Sequence, residues 1–569
     1  LKMKLYLAIL LCAVCAISGN PIESEPEVDA PTGKIRGSTL NSRLGRTIYS
    51  FRGIRYAESP TGQRRFAHPV PAADWSDVFD ASEEGPACPG LQAKLVSEDC
   101  LRLNVYSAKY FTILIISRFQ LPTKSENVKR PVMVFFHPGA FYIYSGQSRY
   151  FAPDYILDKD IVLVTVNNRQ ATLGKSTGDA LAPGNLALKD QVIALRWVKR
   201  NIAAFGGDPD SVTIAGDSVG SISVLLHMLS PMSKGLFHRA IAMSASLLTL
   251  ELFPTEQTRY AVKQAELLNC PTNSTQAILD CLRTKPVEDF GRTIVNFFEW
   301  YGDPVFVWKP VVEPNIPGVE RFLTEQPIDL IRKGQFHQVP LITGITKDEF
   351  GGVVTLYEQA ERTGNSTYRE LDENWERLAP ISFMYERGTP RSRYISRELR
   401  KFYFGDKPIG SATIYADSAV IASVYRIGKL IAEYSREPVY FYKFTFQGPL
   451  AEICFAKFSI IISGVAHQDD LQYLFYIKEQ FPYLEKNAPE IPMVELYTTM
   501  WTNFVETGKP VSQSKELLKD ICWDRVVPSQ SNYLDINLHP TMKNGVYPER
   551  MQLWERLFPF RPLPAPTKH

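Results

Sequence analysis

The apolar residues of this chain follow two rhythms. Runs with apolar residues at consecutive positions recur at Val132–Phe136 (VMVFF), Ile161–Val166 (IVLVTV), Val212–Ala215 (VTIA), Arg239–Met243 (RAIAM), Pro340–Thr343 (PLIT) and Val439–Phe444 (VYFYKF). A strand with one wet face alternates apolar and polar residues. A strand covered on both faces does not, so these runs predict strands of a largely parallel sheet. Between them the period changes. Leu188, Val192, Leu195, Val198, Ile202 and Phe205 step by three or four residues and share one side of a helix, which Gly206–Pro209 (GGDP) stops. Strands alternating with such helices predict the α/β class, with helices on both sides of the sheet. No internal repeat, low-complexity segment or linker divides the chain, so residues 20–569 read as a single domain.

The first 19 residues break this pattern. Lys2 and Lys4 precede an apolar run from Leu5 to Ile17, and small residues follow around Ala16 and Gly19. This reads as a signal peptide, too short to span a bilayer comfortably, and it predicts a secreted, extracellular protein with no stable membrane anchor. The cysteines fit an oxidising compartment. Beyond the leader six remain; Cys88 and Cys100 lie close together, as do Cys270 and Cys281, and short-range disulfides are expected. Cys454 and Cys522 either pair or stay as buried thiols. Asn273 and Asn365 open glycosylation sequons. With 569 residues, 45% of them hydrophobic, there is ample material for a large core, and a formal charge of +2 with only short basic clusters leaves no nucleic-acid footprint.

Two stretches fit the pattern G-x-S-x-G: Gly174–Gly178 (GKSTG) and Gly216–Gly220 (GDSVG). A nucleophile elbow needs a strand running into a sharp turn and then a helix. GDSVG follows SVTIA and leads into Val219, Ile222, Leu225, Leu226 and Leu229 at helical spacing. GKSTG leads into GDALAPGN, whose Gly and Pro mark a loop, so Ser176 reads as a loop serine and Ser218 as the nucleophile. A serine hydroxyl needs a general base, and the base needs an orienting acid.

At this point the chain resembles the type-B carboxylesterases, the α/β-hydrolase group that includes cholinesterases and secreted insect esterases. The resemblance rests on FRGIRYAESPTGQRRFAHP (51–69), SEDCLRLNVY (97–106) and the block from Asn185 to Gly220 ending at GDSVG. It implies an α/β-hydrolase fold: a large, mostly parallel central sheet flanked by helices. It places the nucleophile on Ser218, the acid on Glu349 in GITKDEFGG (344–352), with Asp348 as the neighbouring alternative, and the base on His467 in GVAHQDDLQYLF (464–475). It places oxyanion donors on the backbone of Gly139, Ala140 and Val219. It implies no metal and no organic cofactor. The partner is a small-molecule ester, and oligomeric state stays open.

Some positions depart from that pattern. Pro138 stands where a Gly is usual, Val219 where Ala is usual, and residues 108–120 and 452–463 look unlike the family. Between Cys88 and Cys100 there is no aromatic residue to bind a cation, and Asp217 rather than Gln precedes Ser218, which argue against choline esters and weaken the case for juvenile hormone. The expectation is a secreted serine ester hydrolase working through an acyl-enzyme on small to medium apolar carboxylic esters, of general, xenobiotic or odorant type. The alternative is a catalytically impaired, cholinesterase-like adhesion or ligand-binding protein.

Overall fold

The computed structural model describes residues 25–91, 95–108, 129–174, 181–182, 184–248, 252–350, 357, 360–361, 364, 366–410, 413–449 and 464–560. Among them, eleven strands form one sheet: β1 (Ser38–Asn41), β2 (Thr47–Arg55), β3 (Arg102–Ser107), β4 (Arg130–Phe136), β5 (Val162–Val166), β6 (Gly207–Asp217), β7 (Arg239–Met243), β8 (Leu341–Thr346), β9 (Val439–Phe444), β10 (Asn532–Ile536) and β11 (Thr541–Asn544). Their spatial order is β11-β10-β9-β8-β7-β6-β4-β5-β3-β2-β1. The seven strands from β10 to β5 pair in parallel. The remaining strands pair antiparallel at the two edges. This is an α/β-hydrolase sheet, large and mostly parallel. All six apolar runs read from the sequence lie in its parallel part; β6 is longer than its run, starting at Gly207.

Helices α1 (Leu186–Asn201), α2 (Val219–Leu229), α3 (Ala422–Tyr434) and α4 (Ile491–Thr507) show why the parallel strands carry no polar alternation. Val132, Val134 and Phe136 of β4 point into one apolar layer with Leu188 and Val192 of α1, Ile222 and Leu225 of α2 and Ile427 of α3. Met133 and Phe135 of the same strand point into a second layer with Met493, Val494, Trp501 and Phe504 of α4. Each fully buried side chain of this size is stabilised by about 1.5–3 kcal/mol. The helical face read from Leu188 to Phe205 is wholly buried, and a tight turn at Ile202–Phe205 with Gly206 at φ +80° ends it.

Cys88–Cys100 and Cys270–Cys281 form disulfides. Near the first, Arg65 donates to Glu98 at 2.8 Å and to the carbonyls of Leu282 and Lys285 at 2.7 Å each. This ties two of the stretches that carry the family resemblance to one another. Cys522 corrects one expectation: its thiol is free but exposed, not buried, because it sits in the loop before β10 beside Asp524. Cys454 lies outside the described residues, as do Ser176, Asn365, the leader and nearly all of the two unusual apolar segments. Asn273 is exposed. No helix among the described residues is long and apolar enough to cross a membrane.

Candidate active site

In an open parallel sheet, ligands bind beyond the carboxyl ends of the strands, where the strand order reverses. Here that point lies between β4, whose chain turns one way into β5, and β6 on its other side. Ser218 stands at the end of β6 and caps the first turn of α2. Its backbone has φ +55° and ψ −123°, a conformation costing on the order of 1–3 kcal/mol for a residue with a Cβ. The surroundings hold it there. Its N–H donates to the Met243 carbonyl at 2.8 Å, and its carbonyl accepts from Ile222 at 3.1 Å. The two flanking glycines are required by contact. A Cβ on Gly220 would come 2.1 Å from the Phe136 carbonyl oxygen, and one on Gly216 would come 2.5 Å from the Gly220 backbone. The elbow thus presses α2 against the end of β4.

The chain leaving β4 is His137-Pro138-Gly139-Ala140. Gly139 has φ +109°, with no room for a Cβ beside the Ile143 carbonyl, and its own carbonyl accepts from Tyr142 and Ile143 at 2.8 Å. Among the described residues, no acceptor takes the N–H of Gly139, Ala140 or Val219. Pro138 lacks an N–H; its carbonyl accepts from His137 Nδ1 at 2.7 Å. Burial lowers the pKa of His137 to about 4, so that ring is neutral.

Glu349 and His467 come together beyond β8. Glu349 Oε1 accepts the Thr346 N–H at 2.8 Å, and its Oε2 faces His467 Nδ1 at 2.5 Å. Asp348 makes a different connection: its Oδ2 accepts the Val465 N–H at 2.9 Å, and its own N–H donates to the Val465 carbonyl at 2.8 Å. It clips the His467 loop to the Glu349 turn. Among the described residues, His467 Nε2 is buried with no hydrogen-bond partner, so no hydrogen bond joins it to Ser218.

A group of acids surrounds this pair. Asp217, Asp469 and Asp470 are all buried. Asp470 accepts hydroxyls from Tyr497 at 2.8 Å and Tyr442 at 3.0 Å, and Asp469 accepts the Ala466 N–H at 2.7 Å. Burial raises the Asp470 pKa to about 6 and pushes those of Asp217 and Asp469 well above the carboxylate range. Burial acts oppositely on His467, lowering its pKa. The Glu349 charge and hydrogen bond, backed by Asp217 and Asp470, more than offset this and hold it at about 9. These acids were not assigned a role from the sequence, although Asp469 and Asp470 stand two and three residues after His467.

Ser218, Ala140 and Val219 line one cavity of about 70 Å³, walled by Ile222, Val305, Phe306, Phe350, Met384 and Val420. The walls are mostly apolar, with Lys309 and several serines among them, and the volume is small. Phe350 also packs on His467, with ring centroids 4.8 Å apart and planes inclined by 31°.

Comparison with known proteins follows the same lines. The model of the Carboxylesterase family matches residues 24–554. Esterase FE4 of Myzus persicae is 34% identical over 538 residues, spanning 90% of this chain and 89% of that protein. Neuroligin-2 of Homo sapiens is 28% identical, covering 94% of this chain and 68% of its own. Among solved structures, juvenile hormone esterase from Manduca sexta, with OTFP covalently attached, superposes with a TM-score of 0.80 at 26% identity, covering 94% of this chain and 100% of that one.

Proposed function

The chain belongs to the carboxylesterase family and is a carboxylic ester hydrolase; from that premise we propose that it is secreted and works through an acyl-enzyme on Ser218, with small to medium apolar esters as substrates. Three features at the strand ends support this reading. They are a strained serine on an apolar cavity, free N–H groups on Gly139, Ala140 and Val219, and a histidine oriented by a buried glutamate.

The chemistry follows from the roles these groups can play. Ser218 Oγ forms a bond to the ester carbonyl carbon while its proton passes to His467 Nε2. The carbonyl π pair becomes an oxyanion, held by the three N–H groups beside the positive end of α2. Glu349 keeps the Nδ1 proton in place and stabilises the imidazolium. As the oxyanion collapses, the bond to the leaving alcohol breaks and His467 returns the proton to it. Water then repeats both steps on the acyl-serine. Lys309 also lines this cavity, but most of its walls are apolar, and Ile222, Val305, Phe306 and Met384 favour apolar acyl or alcohol portions.

The test is hydrolysis of p-nitrophenyl esters by the purified chain. Wild type should turn them over, and Ser218→Ala should lose activity by on the order of 10⁴–10⁶-fold with its fold intact. A Ser218→Ala protein as active as wild type would reject the assignment.

A second reading has its own support. His467 Nε2 carries no hydrogen bond, and the similarity to neuroligin-2 spans most of this chain. A fold that binds ligands without turnover would show neither ester hydrolysis nor a serine adduct.

A further inference from the structure

Phe350 follows Glu349 directly and occupies an unusual place. Its backbone has φ +54°, in the left-handed region where a bulky side chain is strained and glycine is not. Its ring lines the cavity that Ser218 lines. The same ring lies against the imidazole of His467, 4.8 Å between centroids. His467 itself is not among the cavity's lining residues. Its side chain is 15% exposed, yet Nε2, the atom that must receive the serine proton, is buried with no hydrogen-bond partner among the described residues. The cavity, at about 70 Å³, holds a few water molecules, each taking about 30 Å³ in the liquid, and falls well short of the roughly 300 Å³ at which ligand pockets begin.

We propose that Phe350 is a positioning residue: its ring stands between the Ser218 cavity and His467 in this conformation, and an ester with a sufficiently long apolar chain completes the site by displacing it. The proposal rests on the reading of Ser218 and His467 given above. It accounts for the small cavity, the unpartnered Nε2 and the strained backbone by one side chain. It also sets a substrate preference. A short acyl chain such as acetyl occupies too little of the cavity to move the ring. A chain of four to six carbons fills the walls formed by Phe306, Met384 and Val420 and takes the ring's place. The proton path from Ser218 Oγ to His467 Nε2 then opens as the ester binds, and water in the unfilled site does not meet an activated serine.

The experiment compares wild type with Phe350→Gly, which suits the left-handed backbone and has no ring. Two readouts are needed. The first is kcat and KM for p-nitrophenyl acetate and p-nitrophenyl hexanoate. The second is the second-order rate of reaction with diethyl p-nitrophenyl phosphate, with the modified residue located by peptide mass. The expected result is a rise of about tenfold or more in kcat/KM for the acetate, carried by kcat, a change under about threefold for the hexanoate, and a faster adduct on Ser218. Where Phe350→Gly does not give a native circular dichroism spectrum, Phe350→Ala removes the ring with the same backbone demand and should shift the two esters in the same sense. Equal or lower acetate activity in a folded variant would overturn the proposal and leave the function above intact. Absence of any Ser218 adduct in both proteins, with the fold intact, would remove the function and this inference with it.

Discussion

At the scale of single residues, activity turns on where one proton sits. His467 is pulled in two directions: burial disfavours the imidazolium, while Glu349, Asp217 and Asp470 favour it and prevail, leaving a pKa of about 9. Only the neutral ring can accept the Ser218 proton. Activity should therefore rise with pH with a midpoint near 9, instead of the ordinary histidine value of about 6.5. The stability linkage has the opposite sense. A raised folded-state pKa means that the pair stabilises the fold fully below about pH 6.5 and loses that contribution as pH rises through about 9. Glu349→Gln removes the charge that dominates the upward shift. It should move the activity midpoint down by a unit or more and lower kcat by roughly 10⁴-fold, because the ring loses its fixed tautomer. A pH–rate profile of both proteins checks this; an unchanged midpoint in Glu349→Gln would contradict it. Ser218, Glu349 and His467 stood out in the sequence because each sits in a local motif. Phe350 did not, because what makes it matter is packing on His467, more than a hundred positions away, and Asp217 stood out only as the residue before Ser218, not for its charge acting on His467.

At the scale of elements, the elbow depends on how closely α2 approaches β4. Gly220 has no space for a methyl group, with 2.1 Å to the Phe136 oxygen. That atom is backbone at the end of a strand paired on both sides and cannot easily step aside. Gly220→Ala should push α2 outward, destabilise by about 1–3 kcal/mol, and displace the Val219 N–H from the oxyanion site. Gly410 is the control, since nothing lies within 4 Å of its added Cβ. Thermal melts paired with ester turnover should show a lower melting temperature and lost activity for Gly220→Ala, and neither for Gly410→Ala. Equal behaviour of the two would contradict this picture of the elbow. The parallel strands were legible because both of their faces are buried, which writes consecutive apolar residues such as VMVFF. The edge strands were not. β1 and β11 are four residues each, partly exposed, and their polar residues resemble those of loops. Register and strand order are set by long-range packing and had no local trace.

At the scale of the whole molecule, one sheet carries two apolar layers, and β4 contributes to both. Neither layer can lose its strands without exposing the other, so the chain is expected to unfold as one unit. Calorimetry should record a single endotherm, and two well-separated transitions would contradict a single domain. The general plan was readable from the alternation of strands and helices. The size of the cavity was not, because it is formed by residues from seven separate stretches, from Ala140 to Ser423, that meet only on folding. Turnover through an acyl-enzyme requires that Ser218 becomes acylated. Quenching the purified chain in acid during turnover of p-nitrophenyl hexanoate and mapping its peptides by mass tests it directly. An added hexanoyl group is expected on the peptide that contains Ser218; steady turnover with the acyl group on another residue, or on none, would rule out Ser218 as the nucleophile.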